Sequence, residues 1–285
     1  MNAAINVPVK TGPPIKHDEI VRNATVGERF SAWLRGAIPG ALGFAGFLIV
    51  WEIVGRVVNS GRQIPMVPPP TSVVDAILTD GWSYYRPNIG TTLGYALDGW
   101  VWGNLLAVAA AGLVLMVPQL EIVILQLGVT TYCLPLVAVA PLVFLVYEGP
   151  TPYRIITILF VFFTTLVLTL AGLRSADPTS LDVVRAYGGG RWQGLRRVRL
   201  ISALPSIFAG FKIAGPAAVL GAVLAEFFQP ADSGLGVGII RSQQQLEISR
   251  TWGIAVVSTM IGAAAYLLTT FVARVATPWA PKLEV

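Results

Sequence analysis

The sequence predicts an all-α membrane protein with about six transmembrane helices, both termini in the cytoplasm, and a helical cytoplasmic loop between spans four and five. Three observations carry this. The 285 residues are 54 % hydrophobic and only 12 % charged, with a mean hydropathy of +0.68. A soluble domain of this size usually carries about 25 % charge, so there is too little polar surface to cover a water-exposed globule. Six apolar runs reach the roughly 20 residues that a bilayer crossing needs. Finally, Lys and Arg are distributed unevenly over the loops between those runs.

The runs cover about 37–58, 93–117, 122–146, 155–173, 207–228 and 254–275. A polar, turn-rich tail over 1–36 precedes the first and is read as a cytoplasmic segment, with its start disordered and 26–35 helical. The transmembrane body, 37–285, follows. The first run is too long, and too far from the start, for a signal peptide. After it comes Pro65-Met66-Val67-Pro68-Pro69-Pro70-Thr71, where three consecutive prolines impose extended backbone. Thr71 or Ser72 is expected to cap a short helix to about Thr79, lying on the membrane surface. The third run is read as one span. The fifth contains Lys212 and Pro216; the lysine is tolerable if the span starts near it.

With six spans, fourteen of the 20 Lys and Arg fall on the side that holds both termini and the 174–205 loop. The positive-inside rule makes that side cytoplasmic. Segments 59–92 and 229–252 then face outward. The net charge of +5 is read as loop charge of this kind, and no nucleic-acid partner is expected.

Composition also limits chemistry. The one histidine, His17, lies in the tail, and the one cysteine, Cys133, lies in an apolar run where a buried helical position is expected. A zinc site or a histidine-based nucleophile cannot be assembled from these. No Gly-rich loop ending in Lys-Ser/Thr is present. The chain is expected to be no enzyme, with no metal site and no nucleotide site of its own.

The 174–205 loop is the most informative segment. Thr179 or Ser180 is a candidate cap, with Asp182 in the first turn. The helix would run to Tyr187, break at Gly188-Gly189-Gly190, and resume near Arg191. By charge alone it is a basic loop touching anionic lipid. Its spacing resembles the EAA loop of ABC importer permeases. That pattern reads Glu-Ala-Ala, three residues, Gly, nine residues, Ile, one residue, Leu-Pro. Here Asp182, Val183 and Val184 stand for the first three, Gly188 is the glycine, and Val198 and Leu200 stand for Ile and Leu. The family's proline position holds Ile201, and a Leu-Pro follows at Leu204-Pro205. Further stretches are similar to the nitrate, sulfonate and taurine branch: Val67 to Val73, Leu134-Pro135 to Leu142, and Ala225-Glu226 followed by Gly234-Leu235-Gly236.

The resemblance implies the membrane-spanning subunit of an ATP-driven, binding-protein-dependent importer in the inner membrane. Two ABC ATPase subunits, which bind the ATP and Mg, would grip a coupling helix made of Asp182, Val183, Val184, Arg185, Ala186, Tyr187, Gly188, Gly189, Gly190 and Arg191. A second permease copy or a related permease would complete the pathway, and an extracytoplasmic solute-binding protein would deliver a small solute. The branch suggests an organic or inorganic anion. Polar residues within spans are candidates for the pathway: Glu226, Thr130, Thr131, Tyr132 and Asn104, with Pro135. Threonines there usually bond their own backbone, and Glu226 either faces a cavity or lies at the interface. Trp51, Trp100, Trp102 and Trp252 are read as interfacial belts. A secondary transporter or channel without an ATPase is the alternative; it would need an inverted repeat or coupling charges within the spans.

Overall fold

The computed structural model describes residues 26–60, 66–228 and 232–279. The disordered start expected for the tail lies outside these. Nearly all described residues are helical, as the apolar runs require: a backbone in hydrocarbon must satisfy its own hydrogen bonds. Five helices are long and apolar enough to cross a membrane, six if a bent pair counts as one span.

Helix α1 (Val26–Asn59) joins the expected tail helix to the first span without a break. Helix α2 (Pro70–Met116) combines two expected elements. Its first part is the short helix expected after the prolines, and Gly81, at φ 66° and ψ −179°, kinks the chain after it. The helix that carries the second apolar run therefore begins well ahead of residue 93. Neither Thr71 nor Ser72 caps this helix; Pro69 holds the cap position and Pro70 the first turn. The cap is supplied by α1 instead. The Glu52 carboxylate accepts from the Thr71 backbone N–H at 3.2 Å and from the Thr71 hydroxyl at 2.9 Å. Trp51 Nε1 donates to the Pro68 carbonyl at 3.1 Å, so the proline segment is strapped along α1.

The third run is not one straight span. A single 3₁₀ turn (Pro118–Leu120) leads into α3 (Glu121–Cys133), and after Leu134-Pro135 the chain continues as α4 (Leu136–Val146), bent by 101° from it. Pro135 is extended, at φ −68° and ψ 108°, and it has no N–H to carry the helix through. Cys133, at the end of α3, is exposed rather than buried.

Helix α5 (Thr151–Arg174) is the centre of the bundle and packs most extensively on α2 and α8. Its seam with α2 uses two glycines one turn apart. A Cβ on Gly99 would lie 2.3 Å from Thr157 Cβ, and one on Gly103 2.8 Å from Val161 Cγ1. Small residues at this spacing let helix backbones approach closely, which is the main attraction available in lipid. Then come α6 (Pro178–Ala186), α7 (Arg191–Gly194), a π-helical turn (Leu195–Arg199) and α8 (Leu200–Phe228). The last three run on continuously, so Lys212 lies well inside one long helix. Helix α9 (Leu235–Gln244) was not expected, and α10 (Ile248–Ala276) is the final span.

Candidate functional site

The loop between α5 and α8 forms a closed, defined knob. Asp177 is the cap of α6, not Thr179 or Ser180. Its carboxylate accepts from the Thr179 N–H at 3.2 Å, the Ser180 N–H at 2.9 Å and the Ser180 hydroxyl at 2.8 Å. These bonds favour the ionised form and hold the Asp177 carboxyl below its ordinary value. Pro178 fits the first helical position, where no N–H is needed.

The far end of α6 closes just as specifically. Gly188 has φ 78°, and its N–H donates to the Arg185 carbonyl at 2.9 Å. The Gly189 N–H donates to the Val184 carbonyl at 2.8 Å. This pair of bonds is a Schellman closure. The three glycines are therefore not a flexible run. Gly188 supplies the left-handed conformation, which is costly for other residues. A Cβ on Gly189 would fall 2.6 Å from the Val184 carbonyl oxygen. Gly190 opens α7, with its N–H on Gln193 Oε1 at 3.1 Å, and has open space around it.

This geometry turns the α6 tip outward. Tyr187 is 91 % exposed, Val183 and Trp192 are more than half exposed, and Asp182 pairs with Arg185 at 2.8 Å in the open. Arginines tie the base to the bundle. Arg191 Nη1 donates to the Met116 carbonyl at 3.4 Å and Arg199 Nη1 to the Leu173 carbonyl at 3.2 Å, while Arg174 pairs with Glu121 at 2.5 Å. An apolar tip on a tethered base suits docking in a groove of a partner. The sequence did not single out Asp177, Arg191 as a tether, or Arg199; an Asp-Pro before a helix was the available signal for the first.

The candidate pathway residues separate into two groups. Thr130, Thr131, Tyr132 and Pro135 cluster at the α3/α4 bend. Thr130 and Thr131 donate to the Gln126 and Gly128 carbonyls, as threonines in membrane helices commonly do. Tyr132 is 66 % exposed and packs on Phe163. Glu226 and Asn104 are enclosed. Asn104 accepts from the Thr165 hydroxyl at 2.7 Å and donates to the Trp100 carbonyl at 2.8 Å. Trp100 itself packs between α2 and α8 against Phe211, with its N–H on the Phe211 carbonyl, so it belongs to the interior rather than to a belt. Trp51 and Trp252 do meet each other, with ring centroids 5.5 Å apart.

Glu226 is 0 % exposed. It accepts from the Thr92 hydroxyl at 2.8 Å and the Gly236 N–H at 2.7 Å. Thr92 Oγ1 in turn receives the Leu235 N–H at 2.9 Å, and Asn88 Oδ1 receives the Gly234 N–H at 2.8 Å. A carboxylate is thus set at the N-terminus of α9, where the free N–H groups and the helix dipole favour negative charge. A Cβ on Gly234 would strike this carboxylate at 2.6 Å, so its glycine neighbours are part of the same arrangement. Nearby, Arg250 at the start of α10 holds both oxygens of Asp80 from Nε at 2.9 Å.

Comparison with known proteins agrees with this architecture. The formylaminopyrimidine transport permease protein ThiX of Halalkalibacterium halodurans is 25 % identical over 248 residues, covering 86 % of this chain and 97 % of the relative. The putative aliphatic sulfonates transport permease protein SsuC of Bacillus subtilis is 25 % identical over 260 residues, covering 87 % and 88 %. The riboflavin transport system permease protein RibX of Chloroflexus aurantiacus is 28 % identical over 186 residues, covering 63 % and 67 %. Residues 103–280, which include the loop and the Glu226 arrangement, match the family described as binding-protein-dependent transport system inner membrane component. The chain is a multi-pass inner-membrane permease of an ABC importer and belongs to that family.

Proposed function

We propose that this chain forms, with a second copy of itself or a related permease, the solute pathway of an importer powered by two ABC ATPase subunits. The ATPases carry ATP and Mg, and an extracytoplasmic binding protein delivers the solute. Both termini and the α6 knob lie on the cytoplasmic side. The observation that carries this reading is the Asp177-capped, Schellman-closed knob, which presents Val183, Tyr187 and Trp192 away from the bundle. Asp182 to Arg191 form the contact with the ATPase. Closure of the ATPases moves these knobs, and the spans alternate between outward- and inward-open states.

The pathway runs past the α3/α4 bend, where Thr130, Thr131, Tyr132 and Pro135 sit. Glu226 and Asn104 act as internal braces rather than wall residues. The solute is a small organic or inorganic anion of the class handled by the nitrate, sulfonate and taurine branch. The SsuC similarity supports that class.

Gentle purification of the chain from its own membranes, with mass spectrometry of what accompanies it, tests the reading. A stoichiometric ATPase is the expected result. A chain with no ATPase at any salt concentration overturns it in favour of a secondary carrier.

A further inference from the structure

A cleft of about 390 Å³ lies behind the knob, between α6, the start of α7 and the end of α2. Leu181 and Val184 of α6 stand on one side of it, and Leu115 and Met116 of α2 on the other. Arg185, Arg191 and Arg199 also line it, and none of its lining residues is acidic. The exposed Val183, Tyr187 and Trp192 of the knob are not part of it.

The three guanidiniums have spare donors. Arg191 gives one N–H to the Met116 carbonyl and Arg199 one to the Leu173 carbonyl, and among the described residues neither meets a carboxylate. Arg185 does, on the exposed Asp182, which does not line the cleft. A guanidinium carries five N–H donors, so most of those on Arg191 and Arg199 are unused. Three like charges around one cleft repel each other, and an anion between them relieves that repulsion. The planar fork of arginine matches two oxygens of a phosphate.

The cleft also lies where apolar helices end. Helix α2 stops at Met116 and α5 at Arg174, next to the Leu173 carbonyl that receives Arg199. Basic pockets among the ends of membrane helices suit anionic headgroups. Leu115, Met116 and Leu181 add apolar surface for the glycerol and first acyl carbons of a lipid. We infer that the cleft behind the knob binds a phosphate group between Arg185, Arg191 and Arg199, and that an anionic phospholipid supplies it. The headgroup then ties α6 to the end of α2. This site goes beyond the importer reading and stands without it, because it needs only the knob, α2 and a bilayer.

The test is native mass spectrometry of the full chain, purified in a neutral detergent and mixed with phosphatidylglycerol or with phosphatidylcholine of the same acyl chains. The expected result is retention of phosphatidylglycerol in preference to phosphatidylcholine. That preference should fall about tenfold in the double variant Arg185→Gln/Arg191→Gln. It should persist in Arg196→Gln/Arg197→Gln, which removes the same charge from exposed residues that do not line the cleft. Each variant is first checked for a cooperative unfolding transition, and Arg191→Gln alone replaces the cleft pair if that pair lacks one. Equal retention of the two lipids, or an equal loss from both double variants, would overturn the site. Glycerol 1-phosphate, added in excess, separates the sources. Continued retention of the lipid supports a headgroup site, and displacement of the lipid by the soluble phosphoester would keep the phosphate site but overturn the lipid as its source.

Discussion

The two ends of the bundle are closed by different chemistry. At the loop end, α6 is finished by backbone geometry: an Asp177 cap, a Schellman turn at Gly188 and Gly189, and three arginine tethers. Its side chains stay exposed. At the opposite end a carboxylate is sealed inside. Glu226 joins α2, α8 and α9 through Thr92 and Gly236, and Asp80 joins α2 to α10 through Arg250. The first arrangement holds a small element rigid while leaving its surface free to engage another protein. The second spends its polar groups on holding helices together. Residue type alone does not separate these roles, since both ends contain an acid followed by glycines.

Breaking the sealed end should have the largest effect. Glu226→Ala strands the Thr92 hydroxyl and the Gly236 N–H in the interior, at a cost of about 3 kcal/mol. Thermal unfolding of the detergent-purified chain should show a clear loss of stability, with Glu226→Gln less damaged because one acceptor remains. If Glu226→Ala unfolds like the parent, the brace is not one.

Breaking the knob should spare the bundle. Gly188→Val forces a branched side chain into the left-handed region, at about 1–3 kcal/mol locally. The chain should insert and unfold normally, yet lose ATP-driven uptake or ATPase association. Gly190→Ala, with open space around it, should behave like the parent. Equal damage from both would mean the turn's conformation is irrelevant.

The smallest effect concerns pH. Asp177 has its folded value below the ordinary carboxylate range, so its cap supports α6 above that range and is lost as pH falls through the lowered value. At neutral pH, Asp177→Ala should exchange the α6 amides faster than the parent. In acid, below the lowered value, pH-matched exchange of the two should converge. A difference that persists there would assign the support to something other than the carboxylate.

Hydropathy made five of the spans legible, because apolar length is what a bilayer selects. It also marked the third run, but it measures composition and not backbone continuity. Leu134-Pro135 changes the backbone without changing the hydropathy, so the 101° bend was missed. Helix α9 was missed because Gly234-Leu235-Gly236-Val237-Gly238 reads as turn; buried Leu235 and Val237, with Glu226 at the helix start, override that propensity. The knob was found from spacing. Its cap was misplaced by two or three residues, since Asp177, Thr179 and Ser180 are all good caps and only the position of Pro178 distinguishes them. Glu226 stands out in the sequence as an acid within an apolar run, but one sequence does not reveal that its partners lie on α2 and α9.

The unbroken helical run from Arg191 to Phe228 has a mechanical consequence. Its 38 residues make a lever about 57 Å long with the knob at one tip and the Glu226 brace at the other. A tilt of about 10° about one tip sweeps the other through about 10 Å. The π-helical turn at Leu195–Arg199 is the one place in that lever where the winding changes, and it sits directly behind the knob. Beyond that turn the helix is interrupted in its hydrogen bonding only at Pro205 and Pro216, so a displacement imposed at the knob has a continuous helical path to the Glu226 end, with those two prolines as the points where it can bend.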